Sequence, residues 1–422
     1  MKRALHFVVH IGTEKTGTTT LQAYLHAHQS RLRQRGICYY ASPERIEGRG
    51  LAAAALGDQP PDDYLRHEGI HTPEERQAFR RRVVEHFQQS MESLEEHVHT
   101  VVISSEHFHS RLRQRDQVEW LKDLVAPWAA DTKVVVYLRR QVDVLSSFYS
   151  TALRNGEVCN LQELALRVCR PSNHYYNYRT VLELWGEVFG QLSLTPRLFS
   201  ANDLKDGDIL ADFLDVLREG HEALPEAPDL PRQNESINPV GQGLMRGLNK
   251  VARELPADSE QEELQVLMRK VVSVFSGPGE ALPVVEARKL QKEFQQCNAW
   301  IRQNWFNEKK PLFLPVTKDN YGRQPSVYTF GSEELETAKA VIDYLAKPGT
   351  EGIPWLDDCA GYFRNSAVAL EAKDLAAARK LMAMAHRIRP KGPFIQQKLG
   401  EYRSLRSGLL GKLGRWVGLG GS

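Results

Sequence analysis

The chain has 422 residues, enough for one large α/β domain with an appendage or for two domains. Its 55 lysines and arginines stand against 53 aspartates and glutamates, and a net charge of +2 gives no global attraction to nucleic acid or an anionic membrane. Any anion site therefore has to be local. A hydrophobic share of 41% suits a soluble globular protein, and no apolar run reaches the roughly 18 residues that a membrane span needs. Five scattered cysteines (Cys38, Cys159, Cys169, Cys297, Cys359), with no Cys-x-x-Cys pair, predict neither a disulfide framework nor a zinc site. Met1-Lys2-Arg3 leads straight into an apolar stretch broken by His6 and His10. With no small-residue cleavage site, the sequence predicts no signal peptide and a cytoplasmic location.

Phe7, Val8, Val9 and Ile11 read as a buried strand. Gly12 to Gly17 form a tight polar turn, and Thr18-Thr19-Thr20 ahead of Leu21, Tyr24 and Leu25 opens a helix with hydroxyls in its first turn. Strand, glycine turn and helix start are the elements that hold a phosphate, because free backbone N–H groups and the positive end of the helix dipole meet the anion there. The nucleotide P-loop needs Gly-x-x-x-x-Gly-Lys-[Ser/Thr]. Here Gly12 and Gly17 keep the spacing, but Thr18 stands in the lysine position and the lysine comes earlier, at Lys15. A glycine turn with no ligand is the plain alternative.

Residues 36–40 predict a short strand, and residues 41–75, rich in Gly, Pro and Ala, a long loop. A charged helix follows from about Thr72-Pro73 to Glu96, with Thr72 as its cap and Arg76, Arg80, Arg81 and Arg82 on a solvated face. Val101 to Ser105 read as the next strand, ending in Glu106-His107-Phe108-His109. A helix near Val118–Leu124 leads to a strand over Lys133–Leu138, then Arg139-Arg140 and an amphipathic helix from Val142 to Leu153. Apolar strands alternating with helices predict a parallel sheet covered on both faces, whose ligands lie at the carboxyl ends of its strands. The polar clusters at 12–19, 106–109 and 139–147 all follow strands.

Two of these clusters carry a family resemblance. The Lys15-Thr16-Gly17-Thr18-Thr19 order resembles the 5′-phosphosulfate loop of sulfotransferases that use PAPS (3′-phosphoadenosine 5′-phosphosulfate). Arg139, after a strand, with Ser147 eight residues on in the following helix, resembles the pair that binds the 3′-phosphate in that family. A guanidinium fork plus a hydroxyl is a chemically sensible grip on a phosphate. Arg140-Gln141 departs from the Asp-Pro or Asn often found there. The resemblance covers residues 5–22, 101–109 and 133–150, and reaches more loosely to about 220. It implies a Rossmann-like domain, PAPS as donor and PAP as product, no metal, and transfer of a sulfuryl group to a hydroxyl or amine, with a glycan or glycolipid as the family-level acceptor.

Such transfer needs a base for the acceptor's proton and cations for the charge that develops on the leaving phosphate. Related enzymes use either His or Glu as base. Glu106 is the favoured candidate as the residue at the strand terminus, with His107 second and His109 a distant third. Lys15 is expected beside the 5′-phosphate and the transferring group. A P-loop-type nucleoside or sugar kinase would want lysine at position 18 and an aspartate at a strand end for Mg²⁺, where this chain has Ser104-Ser105-Glu106. A non-catalytic nucleotide-binding scaffold is the other alternative.

Later residues carry fewer motifs. A helix over 181–190, a strand over 193–199 and a helix over Ile209–Leu217 look like the second half of a bacterial sulfotransferase domain. Pro225–Pro231 and Asn234–Pro239 mark a break. Helices are predicted over 239–254, 260–275 and 284–305, with Trp300, Trp305, Phe306 and Phe313 as core rather than a sugar platform. Residues 316–331 read as a polar loop, and Glu333–Leu345 as a helix ending before Lys347-Pro348-Gly349. Within a tail from Tyr362 to Leu405, Leu370 to Pro390 resemble one tetratricopeptide-type hairpin, for packing or a protein partner, and residues 408–422 read as a frayed tail or weak surface anchor. The expected organisation is a three-layer, P-loop-like α/β core over 1–225, a helical acceptor-side extension over 226–350, and a helical tail over 351–422.

Overall fold

Strict alternation of side chains along five strands sets the architecture. They are β1 (Leu5–His10), β2 (Ile37–Tyr40), β3 (Thr100–Ser104), β4 (Ala129–Leu138) and β5 (Leu194–Leu198). Phe7, Val9, Val101, Ile103, Val134, Val136 and Leu138 enter one buried cluster, while Val8, Val102, Val135 and Tyr137 enter another. A strand whose successive side chains are all buried must have a core on each side, so the sheet is the middle of three layers. Its order is β2-β3-β1-β4-β5, and every neighbouring pair is parallel. The chain leaves β1 for one side of the sheet and returns to its other side at β4. This is the topological switch that opens a ligand crevice at the carboxyl ends. The α/β parallel-sheet expectation holds, with five strands.

The computed structural model describes residues 4–41, 48–217, 236–255, 261–306, 310–322, 325–346 and 352–404. The predicted break at Pro225–Pro231, the Lys347-Pro348-Gly349 helix end and the 408–422 tail lie outside them. Among the described residues, no helix is long and apolar enough to cross a membrane.

Contacts divide the chain into two compact units whose segments interleave. One comprises Met1–Leu145, Leu166–Asn234 and Val285–Val316; the other comprises Ser146–Ala165, Glu235–Val284 and Thr317–Ser422. The first unit holds the sheet. Its helices include α1 (Thr18–Ala27), α2 (Gln29–Gln34), α3 (Arg49–Ala55), α4 (Asp63–His67), α5 (Pro73–Glu92), α6 (Glu106–Arg111), α7 (Arg115–Val125), the first turn of α8 (Gln141–Arg154), the end of α9 (Leu161–Val168), α10 (Tyr178–Phe189) and α11 (Ile209–Leu217). Leu21, Tyr24 and Leu25 of α1 pack with Phe213 and Leu214 of α11 on one face. Phe79, Val83 and Phe87 of α5 pack with Leu121 of α7 and Trp185 of α10 on the other.

Three elements differ from the sequence expectation. The 41–75 stretch is not one long loop, since α3 and α4 lie in it. Leu51 to Ala55 are all buried, and Asp62 caps α4 by accepting from the Leu65 N–H at 3.1 Å. Small side chains there allow close packing, and composition alone reads them as loop. Glu106 does not end a strand; Ser105 caps α6, and Glu106 is its first residue. The single helix expected over 284–305 is α14 (Val284–Glu293), α15 (Gln295–Ile301) and a π turn over Arg302–Phe306. Leu290, Phe294 and Ile301 stay buried across the breaks, so the apolar period hides them.

In the second unit, Asn238 caps α12 (Pro239–Glu254) and Pro239 occupies its first position. Further helices are α13 (Gln261–Val274), α16 (Ser332–Leu345), α17 (Asp357–Leu370) and α18 (Leu375–Ile388), with a last helical stretch over 393–404. Gly243 and Gly247 let α12 approach Cys359 and Leu345 closely. The α17–α18 pair forms a hairpin, and Asp374 caps α18 by accepting from the Ala377 N–H at 2.9 Å.

Candidate functional site

The loop between β1 and α1 carries unusual backbone. Gly12 (φ 38°), Lys15 (φ 70°) and Gly17 (φ 77°) are left-handed, and Gly17 is the N-cap of α1. Left-handed residues alternating with ordinary ones curl a chain into a nest of N–H groups that suits an anion. The Thr16 hydroxyl donates to the Thr13 carbonyl at 2.5 Å, and both residues are fully buried. Among the described residues, the buried hydroxyls of Thr13 and Thr18 have no hydrogen-bond partner. Buried polar atoms are almost always paired, so two orphans in one loop fit a bound anionic group. Thr19 is half-buried on the next position of α1.

Gly12 brings this loop against α6. A methyl group on it would stand 3.0 Å from the Cα of Glu106 and 3.1 Å from its nitrogen, so glycine is required by space as well as by φ. Glu106, half-buried, thus adjoins the phosphate-type loop. His107 follows it. Burial and the nearby Arg49 guanidinium push its imidazole down to about 4, against the opposing charge of Glu14. His109 is fully buried and pushed down to about 4 by burial, with its ring centroid 5.0 Å from that of Tyr175 and 6.4 Å from that of His174.

Arg139 follows β4 and reaches the same loop. Its Nη1 donates to the Lys15 carbonyl at 2.7 Å, its guanidinium lies 5.6 Å from the Phe199 ring centroid, and the Tyr178 hydroxyl donates to its carbonyl at 2.7 Å. Burial lowers its affinity for its proton, yet a guanidinium stays charged. Lys15, Thr16, Gly17, Thr18, Glu106 and Arg139 therefore gather at the carboxyl ends of the adjacent strands β3, β1 and β4. Ser147 is half-buried on the second turn of α8 and belongs to the second unit.

Several residues that sequence reasoning passed over complete the site. Tyr175 donates to the Glu14 carboxylate at 2.9 Å, tying the loop to the segment before α10. Glu14 adjoins Lys15 and could have been singled out, whereas nothing in the sequence points to a tyrosine 161 residues away. Arg49 is buried beneath the Tyr64 ring, paired with Asp62 and Asp63, and Arg111 shares Asp63 at 2.7 Å. Beneath the loop, His10 Nδ1 lies 2.8 Å from the Ser104 hydroxyl, which accepts from the Gln22 amide at 3.4 Å. Behind β4, the buried Asp212 carboxylate accepts from Tyr137 at 2.7 Å, from Arg197 Nη2 at 2.6 Å and from the Lys205 N–H at 3.0 Å. Trp300, Trp305, Phe306 and Phe313 pack against the core on the α5–α7–α10 face.

No family model and no curated protein matches the chain. Among solved structures it is similar to a sulfotransferase from Alicyclobacillus acidocaldarius, at 16% identity and a TM-score of 0.34, over 64% of this chain and 97% of that one.

Proposed function

We propose that the chain is a PAPS-dependent sulfotransferase acting on a hydroxyl or amine. One observation carries this reading: the guanidinium after β4 meets the lysine-bearing glycine loop after β1, with Glu106 against the same loop. The loop's orphaned threonine hydroxyls and left-handed residues suit the 5′-phosphosulfate group, held by Lys15, Thr16, Gly17, Thr18 and Thr19. Arg139 is assigned to the 3′-phosphate, and the sequence resemblance adds Ser147. PAPS, when bound, supplies the sulfuryl group, whose sulfur bonds to the acceptor oxygen or nitrogen as its bond to the 5′-phosphate oxygen breaks and PAP departs.

The chain's own residues would do the rest. Glu106 would take the acceptor's proton at a carboxylate oxygen, and Lys15 would face the charge that builds on the departing phosphate. Glu106 is preferred to His107 by its place, since its backbone lies directly against Gly12 of the loop. A kinase reading lacks support, since Thr18 replaces the lysine and Ser104-Ser105-Glu106 offer no aspartate for Mg²⁺. The acceptor class implied by the resemblance is a glycan or glycolipid.

The test is to measure PAP release from PAPS against a panel of hydroxyl and amine acceptors, with ATP–Mg as the rival donor. Acceptor-dependent PAP formation, reduced about 10²-fold or more in Glu106→Gln, is expected. ADP formation from ATP–Mg with no PAP from PAPS would overturn the reading.

A further inference from the structure

We propose that Arg139 is a positioning residue for the phosphate-type loop, holding Lys15 in its left-handed conformation. This role is additional to any contact with a nucleotide, and it rests on the sulfotransferase reading only for the ligands that reveal it. Among the described residues, Lys15 and Asp206 are the non-glycine residues with positive φ. A side chain at φ 70° crowds its own carbonyl, so such a residue persists only where its surroundings over-determine it. Here the strained residue's own carbonyl accepts from Arg139 Nη1 at 2.7 Å, across 124 residues of chain.

Arg139 is itself fixed on three sides. It follows directly from the last residue of β4, its carbonyl accepts from the Tyr178 hydroxyl, and Phe199 lies beneath its guanidinium. Phe199 is pinned in turn by its N–H donating to the Leu138 carbonyl at 2.8 Å. The same ring borders the loop's far end, where a methyl on Gly17 would stand 3.5 Å from it. One arginine and one aromatic ring therefore brace the loop at Lys15 and Gly17. A guanidinium has five N–H donors, so a bond to Lys15 leaves capacity for an anion. Losing Arg139 would then weaken every ligand that uses the loop, including those with no 3′-phosphate.

Adenosine 5′-phosphosulfate, which lacks the 3′-phosphate, separates the two roles. It and PAP are titrated into the native protein and into Arg139→Ala, and amide hydrogen exchange of residues 16–19 is followed without ligand. The proposal predicts that Arg139→Ala weakens adenosine 5′-phosphosulfate about tenfold or more alongside PAP, and speeds loop exchange by a similar factor while tryptophan fluorescence is unchanged. Unchanged affinity for adenosine 5′-phosphosulfate with weakened PAP would reduce Arg139 to a 3′-phosphate contact and overturn the proposal, as would unchanged exchange. If Arg139→Ala does not fold, Arg139→Lys, which keeps the charge and loses the fork, faces the same two criteria. If the native protein binds neither nucleotide, the sulfotransferase reading falls and the exchange rates alone decide the brace.

Discussion

Lowering the pH from 7 to 5 should destabilise the sheet unit through His10. The imidazole is buried at the carboxyl end of β1, between the rings of Tyr137 and Phe213, with centroids 5.8 and 5.5 Å away. Ser104 Oγ, which accepts from Gln22, lies 2.8 Å from His10 Nδ1, whereas His10 Nε2 is buried with no hydrogen-bond partner among the described residues, so a protonated ring would hold an unpaired N–H. Burial accordingly pushes His10 down to about 3. An unfolded histidine titrates near 6.5, so between about pH 3 and 6.5 the unfolded chain binds a proton that the folded chain refuses. Stability is therefore full above 6.5 and falls as the pH drops. At pH 5 the gap of about 1.5 pH units from 6.5 corresponds to about 2 kcal/mol, at about 1.4 kcal/mol per unit. Urea unfolding followed by fluorescence of Trp185, which is buried in the same unit, measures it at both pH values. His10→Gln is less stable at pH 7 but should lose about 2 kcal/mol less than the native chain on going to pH 5. An identical loss in both proteins would refute the buried neutral imidazole.

Three further outcomes follow from particular contacts. Although burial opposes it, Arg197, the Lys205 N–H and Tyr137 hold Asp212 below the usual carboxylate range. Asp212→Ala strands those donors and should cost about 3 kcal/mol in urea unfolding at pH 7. Gly12→Ala combines a left-handed side chain with a 3.0 Å approach to Glu106, so about 2–4 kcal/mol of stability and most nucleotide affinity should be lost, both readable by titration of the purified variant. Tyr175→Phe removes a hydrogen bond to the Glu14 carboxylate and should lower stability by about 2 kcal/mol, whereas Tyr176→Phe, whose buried hydroxyl has no partner among the described residues, should not.

What could be read in the sequence was what local pattern encodes. Phe7 to Ile11 followed by Gly12 and Gly17 announced a strand and a turn, because two-fold alternation and glycine spacing are written in consecutive residues. Thr72 with Pro73 marked the start of α5, and Thr72 there forms a capping box with Glu75. The start of α6 was also written, in Ser105 followed by Glu106, but the apolar run of Val101 to Ile103 masked it. The buried alanines of α3 read as loop because their low bulk says nothing of packing. Contacts that assemble the site join residues far apart in the chain. Arg139 with Lys15, Tyr175 with Glu14 and Tyr137 with Asp212 have no local signature, and the packing of strands, helices and loops brings them together. The orphaned hydroxyls of Thr13 and Thr18 likewise follow from burial, which the sequence does not state.

The central claim is that the Lys15–Arg139 loop holds a nucleotide carrying both a 5′- and a 3′-phosphate. Isothermal titration of the protein with PAP, adenosine 5′-phosphate and ATP–Mg tests it directly. The account predicts micromolar PAP binding, weaker binding of adenosine 5′-phosphate, little affinity for ATP–Mg, and loss of PAP binding in Arg139→Ala. No PAP binding, or a preference for ATP–Mg, would contradict it.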